Sequence, residues 1–423
     1  MQKLENRSKE ELISRRKSLS EQYESYRRQG LKLDMSRGKP CPEQLELSEG
    51  FFADTKNLFT EDGTDCRNYG LLDGIKEAKA LFAEIFGLST DEIFIGGNSS
   101  LNLIYDLISK AFIHGLNGFE KPWCRLDKVR FLCPSPGYDR HFAITELFGV
   151  EMITIPMNDD GPDMDMVEKL TAEDDSIKGI WCVPKYSNPT GITYSDSVVR
   201  RLASMKTKAN DSIIMWDNAY AVHDLYEPSD KLLDIFSECR NAGNPGRIYM
   251  FASTSKITFP GAGISMMASS RENIAHIKKL IAIQTIGNDK INMLLHVRFL
   301  KNAENIRSHM KKHAEIIRPK FEAVNEILGK NLSGKGIASW KIPKGGYFIS
   351  LNVPEGCAKR TVALARNAGV KLTPAGATFP YGRDPKDSNI RLAPTYPSLD
   401  DLRKAMEILS VCIEIAVSEK VSA

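Results

Sequence analysis

The chain has 423 residues, of which 42% are hydrophobic and 26% are charged, and this composition excludes a disordered or fibrous protein. The length favours two domains, because a single hydrophobic core seldom grows to this size. The 57 basic and 54 acidic residues leave a net charge of +3, which gives no reason to expect nucleic acid or a membrane as the main partner.

The eight cysteines are scattered and none forms a C-x-x-C pair, so we expect reduced thiols and neither a disulfide framework nor a zinc site. The first residues are charged and lack the apolar segment of a secretory signal. No apolar run approaches the length of a membrane span. Together these features predict a cytoplasmic protein.

The first elements along the chain are helical. Residues 8–30 carry apolar side chains at helical spacing and predict an amphipathic helix that packs on the body of the protein. Its apolar positions are Leu12, Ile13, Leu19, Tyr23 and Tyr26. Residues 75–86 predict a helix that ends at Gly87. A short apolar run at 93–95 then leads through a polar turn into a helix at 101–112.

Five further apolar runs of strand length follow, and helical patterns separate many of them. They cover residues 129–133, 151–155, 179–183, 212–216 and 248–251. Alternation of strand and helix is typical of an α/β domain with a mostly parallel sheet covered by helices. Because ligands of such sheets bind beyond the carboxyl ends of the strands, the polar clusters that follow these runs are candidate site residues.

A long charged helix predicted at 303–328 introduces a series of shorter elements. We therefore expect a large domain at 56–300 and a smaller domain built from both chain ends, with residues 1–55 and 301–423.

Lys256 follows the run at 248–251 in the sequence Ser-Thr-Ser-Lys. A lysine at a strand end can form an imine with an aldehyde cofactor and can later act as a general base. A lone lysine of this kind is more often an ordinary surface residue, so its weight depends on the residues that accompany it.

Two other runs end in polar clusters of the matching chemistry. Asp217 and Tyr220 follow the run at 212–216, and Asn188 follows 179–183 within Ser-Asn-Pro-Thr-Gly. A carboxylate beside a pyridine nitrogen keeps that nitrogen protonated, while a tyrosine and an amide can hydrogen-bond the phenolate oxygen of the same ring. The plain alternative for each cluster is a polar turn at a strand end.

A polar turn stands ahead of the helix predicted at 101–112. It contains Gly97, Asn98, Ser99 and Ser100. Backbone N–H groups and the helix dipole at such a place favour a phosphate, to which Ser253 and Ser255 can add hydroxyl donors. The alternative is a helix cap without a ligand.

Arg391, near the C-terminus, can bind a carboxylate through two hydrogen bonds. The α-carboxylate of an amino-acid substrate needs such a partner. The alternative is that Arg391, like most single arginines, is an ordinary surface residue.

Two other patterns carry no functional signal. Gly261-Ala262-Gly263 lacks the third glycine of a dinucleotide fingerprint, and the histidines do not have the spacing of metal ligands.

Three motifs occur in the order Ser-Asn-Pro-Thr-Gly, Asp-x-x-Tyr and Ser-x-Ser-Lys. This set resembles class I (fold-type I) aminotransferases, which depend on pyridoxal 5'-phosphate (PLP). The resemblance extends across about residues 35–415. The segments 36–40, 97–100 and 287–290 resemble the Ic subgroup of bacterial aspartate aminotransferases, a branch often labelled as related to MocR regulators. The resemblance implies a transaminase of that fold, which moves the amino group of L-aspartate to 2-oxoglutarate by a ping-pong mechanism.

The resemblance also implies a role for each candidate residue. Lys256 would carry PLP as a Schiff base, Asp217 would pair with the pyridine nitrogen, and Asn188 and Tyr220 would bind the phenolate oxygen. Tyr138 matches the aromatic residue that stacks on the ring.

Further roles concern the substrate and the neighbouring subunit. Tyr69 looks like the tyrosine that reaches the phosphate of the neighbouring subunit, which would make the protein a homodimer with shared active sites. Gly38 would lie in the loop that closes over the substrate, and Arg391 would hold its α-carboxylate.

The sequence departs from the family pattern in two places. The stretch 259–265 has no arginine to clamp the phosphate, and residues 280–286 offer no arginine for the distal carboxylate of aspartate. We hypothesise that Lys290, Arg37 or Lys39 binds that carboxylate instead. The alternatives left open are a PLP-dependent β-lyase, an aminotransferase of another amino acid, and a non-catalytic regulator.

Overall fold

The computed structural model describes residues 9–119 and 121–421. The α-helices of these ranges, in chain order, are α1 (Lys9–Arg28), α2 (Pro42–Glu46), α3 (Lys76–Phe86), α4 (Ser100–His114), α5 (Asp139–Leu147), α6 (Met164–Glu173), α7 (Asp196–Ser204), α8 (Ile235–Asn241), α9 (Arg271–Gln284), α10 (Lys290–Leu300), α11 (Ala303–Leu332), α12 (Ala358–Asn367) and α13 (Leu399–Val421). The strands are β1 (Leu33–Asp34), β2 (Ile93–Ile95), β3 (Arg130–Ser135), β4 (Glu151–Asn158), β5 (Gly161–Pro162), β6 (Ile177–Cys182), β7 (Ile213–Asp217), β8 (Ile248–Ser253), β9 (Ser265–Ala268), β10 (Ser339–Trp340), β11 (Ile349–Asn352), β12 (Val370–Lys371) and β13 (Asn389–Leu392).

An eight-stranded sheet has the strand order β2-β9-β8-β7-β6-β3-β4-β5. The five strands from β8 to β4 are parallel, and the strands at the two ends pair antiparallel. Alternate residues of β7 enter two different cores, with Trp216 in one and Met215 in the other. Apolar residues on both faces are typical of a parallel sheet covered by helices, so the predicted α/β fold is confirmed.

The predicted strands and helices of this sheet lie where the apolar runs placed them, within one to three residues at each end. The helix predicted at 75–86 is α3, and Gly87 caps it with a φ of 66°, a left-handed conformation that glycine adopts without strain. Strand β9 was not predicted. It has only four residues and inserts antiparallel between β2 and β8.

Residues from the two chain ends share one hydrophobic core. Leu19, Tyr23 and Tyr26 of α1 are buried in it together with residues of α11 and α13. Strand β1 pairs in parallel with β12, and β10, β11 and β13 form an antiparallel sheet. The division at 1–55, 56–300 and 301–423 stays a prediction, which this shared core supports. The side chains of Leu12 and Ile13, and residues 1–8, 422 and 423, lie outside the described part.

Other expectations concern the whole chain. All eight cysteines are free thiols. Across residues 9–119 and 121–421, the helices include none that combines the length and apolar character of a membrane span.

A buried ion-paired cluster joins α1, the end of α11 and α13. The Lys335 ammonium lies 2.7 Å from the Glu414 carboxylate, and the Arg15 guanidinium lies 2.9 Å from the same oxygen. Lys335 and Glu414 are buried, whereas Arg15 is partly exposed. The Glu414 charge therefore depends on these two partners for its stability.

Replacing Lys335 with Met should lower the free energy of unfolding by about 3 kcal/mol, because it leaves a buried carboxylate with one partly exposed partner. Urea denaturation measures this change. The control is Lys341→Met, which removes an exposed lysine paired with exposed Asp159 and should change stability by less than about 0.5 kcal/mol. Equal effects of the two substitutions would contradict this account of Glu414.

Candidate active site

Three neighbouring parallel strands end at one edge of the large sheet. Strand β7 lies between β6 and β8, and all three run in the same direction. Asn188 follows β6, Asp217 is the last residue of β7, and Lys256 follows β8. The sheet therefore brings these three side chains, predicted from separate parts of the sequence, to the same cleft.

Lys256 lies among aromatic rings. Its Nζ is 5.1 Å from the centroid of the Tyr220 ring and 5.9 Å from that of Tyr347. Burial lowers the pKa of Lys256, and the negative charge of Asp217 partly opposes this change. A lowered pKa gives the amine a larger neutral fraction at neutral pH, and the neutral amine is the nucleophilic and basic form.

Asp217 uses one carboxylate oxygen inside the protein and leaves the other without a partner. Its Oδ2 lies 3.0 Å from His141 Nε2. Its Oδ1 is buried and has no hydrogen-bond partner among the described residues. An unpaired buried carboxylate oxygen is costly, so this atom indicates a ligand that brings an N–H or O–H group to it.

His141 is a site residue that the sequence analysis missed. It is fully buried on α5, and its ring stacks on Trp181 with centroids 4.4 Å apart and planes 10° apart. The histidines were considered only for metal spacing, and within the described ranges no group of His, Cys, Asp and Glu forms a metal cluster. Its position three residues after Tyr138, about one helical turn away, indicates proximity to that ring but does not predict the contact with Asp217.

Tyr220 is buried and Tyr138 is partly buried, and both lie near Asp217. Burial, together with the negative charge of Asp217, raises the pKa of Tyr138 to about 12. Burial also raises the pKa of Tyr220 above its ordinary value. Both phenols therefore stay protonated at neutral pH and can act as hydrogen-bond donors.

The predicted phosphate turn is assembled with the serines that were expected to join it. Gly97 has a φ of 67°, and α4 begins at Ser100. Ser255 Oγ donates to the Asn98 carbonyl over 3.3 Å, and Ser253 Oγ lies 3.0 Å from Ser255 Oγ. The turn thus combines hydroxyl groups with the free N–H groups of a helix start.

The stretch without an arginine passes close to this turn. A Cβ atom on Gly263 would lie 2.6 Å from the Asn98 carbonyl oxygen, so only glycine permits this approach. Ser99 Oγ donates to Asn102 over 3.0 Å. The backbone of this stretch is therefore packed closely against the turn at 97–100.

Arg391, on β13, is buried, and four of the five N–H groups of its guanidinium have partners. Its Nη1 lies 2.7 Å from Asp139 Oδ1 and 3.4 Å from Asn188 Oδ1. Its Nε and Nη2 donate to Thr373 Oγ1 over 3.3 and 3.2 Å. The guanidinium also lies over the ring of Phe348, with 5.1 Å to its centroid.

The segment around Gly38 lies against that same ring. A Cβ atom on Gly38 would overlap the Phe348 ring, so glycine is required for this close approach. Arg37 and Lys39 on either side are exposed, and the Lys39 ammonium lies 3.7 Å from the centroid of the Tyr396 ring.

Tyr69 and Lys290 belong to a different surface. Tyr69 is 81% exposed on a loop, and buried Lys290 donates to the Gly70 carbonyl of that loop over 3.1 Å. Lys290 thus supports the Tyr69 loop in this chain. Neither side chain joins the group formed by Lys256, Asp217 and Arg391 within one chain.

Known proteins are similar to this chain along nearly its whole length. A sequence profile of the aspartate aminotransferase family matches residues 7–423. The chain is 44% identical over 403 residues to an aspartate aminotransferase of Corynebacterium glutamicum, covering 95% of this chain and 93% of that protein. The chain belongs to the aspartate aminotransferase family.

Solved structures agree with this assignment. A crystal structure of an aspartate transaminase from Corynebacterium glutamicum superposes with a TM-score of 0.96 at 43% identity and covers 99% of both chains. An α-aminoadipate aminotransferase from Thermus thermophilus, complexed with N-(5'-phosphopyridoxyl)-L-leucine, shares the fold with a TM-score of 0.75 at 20% identity and covers 92% of this chain and 93% of that one. The protein is a PLP-dependent aminotransferase of fold type I.

The residues of the site fit PLP. The unpartnered Asp217 Oδ1 is suited to a protonated pyridine nitrogen. The turn at 97–100 has the donors that a phosphate needs. The amine of Lys256, with its lowered pKa, is suited to an aldehyde.

Substituting His141 with Phe should lower kcat/KM about 10- to 100-fold, because it removes a hydrogen bond to a charged group while keeping a flat ring against Trp181. Steady-state kinetics measure the change, and the absorbance of bound PLP reports whether its ring nitrogen environment is altered. His114→Phe, at an exposed position, is the matched control. Wild-type kinetics in the His141 variant would show that Asp217 needs no such partner.

Proposed function

We propose that the enzyme transfers the amino group of L-aspartate to 2-oxoglutarate in two half-reactions, as a cytoplasmic homodimer. The observation that carries the transfer chemistry is the joint presence of Lys256, Asp217 and Arg391 at one cleft. Aspartate as the donor is supported by the relative from Corynebacterium glutamicum, an aspartate aminotransferase at 44% identity. The eight free cysteines support a reducing compartment.

When bound, PLP supplies a ring that accepts electrons from the substrate Cα. We assign the handling of the Cα proton to Lys256, since its lowered pKa favours a neutral amine. Asp217 Oδ1, which is buried and unpartnered, would hold a proton at the ring nitrogen, and His141 fixes the carboxylate through Oδ2. The negative charge beside that nitrogen keeps it protonated.

Other residues bind and orient. The Tyr220 hydroxyl and the Asn188 amide would donate to the phenolate oxygen, and the Tyr138 ring would pack against the cofactor ring. The residues that would bind the phosphate are Gly97, Asn98, Ser99, Ser100, Ser253 and Ser255. Arg391 binds the substrate α-carboxylate, which fixes the direction of the Cα–H bond.

The distal carboxylate of aspartate needs a separate cation. Arg37, Lys39 and Lys290 remain the candidates. Arg37 is the first to test, because its neighbour Gly38 lies against Phe348, and Phe348 in turn lies against Arg391. Lys39 lies on Tyr396, and Lys290 supports the loop of Tyr69.

Adding aspartate to the purified holoenzyme should shift the visible PLP absorbance and release oxaloacetate, and 2-oxoglutarate should reverse the shift with formation of glutamate. Lys256→Ala should lower this turnover by about 10⁴-fold or more, because the proton at Cα then lacks its base. Lys231→Ala, at an exposed lysine, serves as the control. Release of ammonia without the absorbance shift would identify a lyase and contradict the proposal.

The homodimer is supported by an exposed apolar surface around the Tyr69 loop. Tyr69, Leu71, Ile283 and Ile286 are exposed there. The two segments are adjacent, since a Cβ atom on Gly287 would lie 2.6 Å from the Gly70 carbonyl oxygen. Contiguous exposed apolar side chains of this kind are typical of an interface between proteins.

Mixed dimers test whether Tyr69 acts in the neighbouring subunit. Lys256→Ala and Tyr69→Ala should each be weakly active alone. After they are unfolded and refolded together in equal amounts, activity should return to about one quarter of the wild-type value, because half of the dimers are mixed and each mixed dimer has one intact site. No recovery, with mixed dimers detected by a tag, would place Tyr69 in its own subunit's site. Wild-type activity of Tyr69→Ala alone would place Tyr69 outside any site.

A further inference from the structure

Arg391 has almost no hydrogen-bonding capacity left for a substrate. A guanidinium has five N–H groups. The two N–H groups of Nη1 donate to Asp139 and Asn188, and the Nε N–H and one N–H of Nη2 donate to Thr373. A carboxylate that binds side-on needs N–H groups on two nitrogens, and only one on Nη2 remains.

The strongest of these contacts is to a carboxylate. Asp139 Oδ1 lies 2.7 Å from Nη1, the distance of a charge-assisted hydrogen bond, whereas the Asn188 contact is 3.4 Å long. The Arg391 side chain is 7% exposed and that of Asp139 is 30% exposed. Asp139 therefore reaches a buried cation from a position that borders on solvent.

We propose that Asp139 is a resident carboxylate that occupies the substrate's place on Arg391 and is displaced when the substrate binds. This inference rests on the proposed role of Arg391 in the function above. The exchange replaces one carboxylate by another on the same guanidinium, so the ion pair is conserved and only the partner changes.

The charges around Arg391 favour exchange over shared binding. Two carboxylates on one guanidinium would leave a net negative charge in a buried site, and like charges at that distance repel. A buried guanidinium without any partner would also be costly, and Asp139 removes that cost in the free enzyme.

Asp139 also has a second favourable environment. It is the first residue of α5, where the helix dipole stabilises a negative charge. Its partial exposure lets water hydrate the carboxylate once it leaves Arg391. The displaced side chain therefore stays charged without a new protein partner.

The exchange makes Asp139 a determinant of specificity. A simple anion must compete with Asp139 using its charge alone. An amino acid also gains binding free energy from its covalent link to the cofactor. This free energy offsets the cost of displacing Asp139 from Arg391. The enzyme thus rejects carboxylates that cannot form this covalent link, through either an amino or a keto group, more strongly than an open arginine would.

The test compares wild-type holoenzyme with Asp139→Asn, which keeps the shape and removes the charge. The probe is succinate, a dicarboxylate without an amino group, titrated at constant ionic strength and followed through the absorbance of bound PLP. The variant should bind succinate about tenfold more tightly, equivalent to about 1.4 kcal/mol. Its KM for the amino donor should fall by a similar factor, with kcat within about threefold of the wild-type value.

Two variants control for structural effects. Asp139→Glu restores the charge and should return the succinate affinity towards the wild-type value. Asp165→Asn removes an exposed carboxylate paired with Arg201 and should leave the affinity unchanged. Unchanged or weaker succinate binding in Asp139→Asn would overturn the proposal and make Asp139 a residue that only positions Arg391. Failure of the wild-type enzyme to transfer any amino group would instead overturn the proposed function, because the titration does not require turnover.

Discussion

The parallel pairing of β6, β7 and β8 is the constraint on which the site depends. Three short polar segments, far apart in the sequence, meet because their strands end at the same edge of the sheet. Asp217 has the strictest position of the three, since it is the last residue of the middle strand. Its negative charge raises the pKa of Lys256, Tyr138 and Tyr220, although the burial of each of these groups is the larger influence on its pKa.

The start of α5 contributes three functions within four residues. Tyr138 offers its ring beside the cleft, Asp139 neutralises Arg391, and His141 holds Asp217. In the proposed function these side chains serve a ring face, the substrate-binding arginine and the carboxylate at the ring nitrogen, all from the N-cap and first turn of one helix. The same helix would therefore couple the acidic partner of the cofactor to the basic partner of the substrate.

Much of the fold and part of the site were accessible from the sequence, for a physical reason. Lys256, Asp217 and Asn188 each follow a run of buried apolar residues, and position after a strand predicts position at the sheet edge. His141 and Asp139 lie on a helix, whereas their partners Asp217 and Arg391 come from distant segments of the chain. No local sequence pattern therefore predicts either contact. Strand β9 was missed because four residues carry too little periodicity to identify a strand.

The pairing of the chain ends has a consequence for how the protein is made. Leu33 pairs with Val370, and α1 packs in a core whose other members extend to α13. At about 5–20 residues per second, a ribosome needs roughly 20–70 s to reach β12 after it has released β1. During that interval Leu19, Tyr23 and Tyr26 lack the later segments that bury them in the folded chain, so the first helix completes its packing only when synthesis is nearly finished.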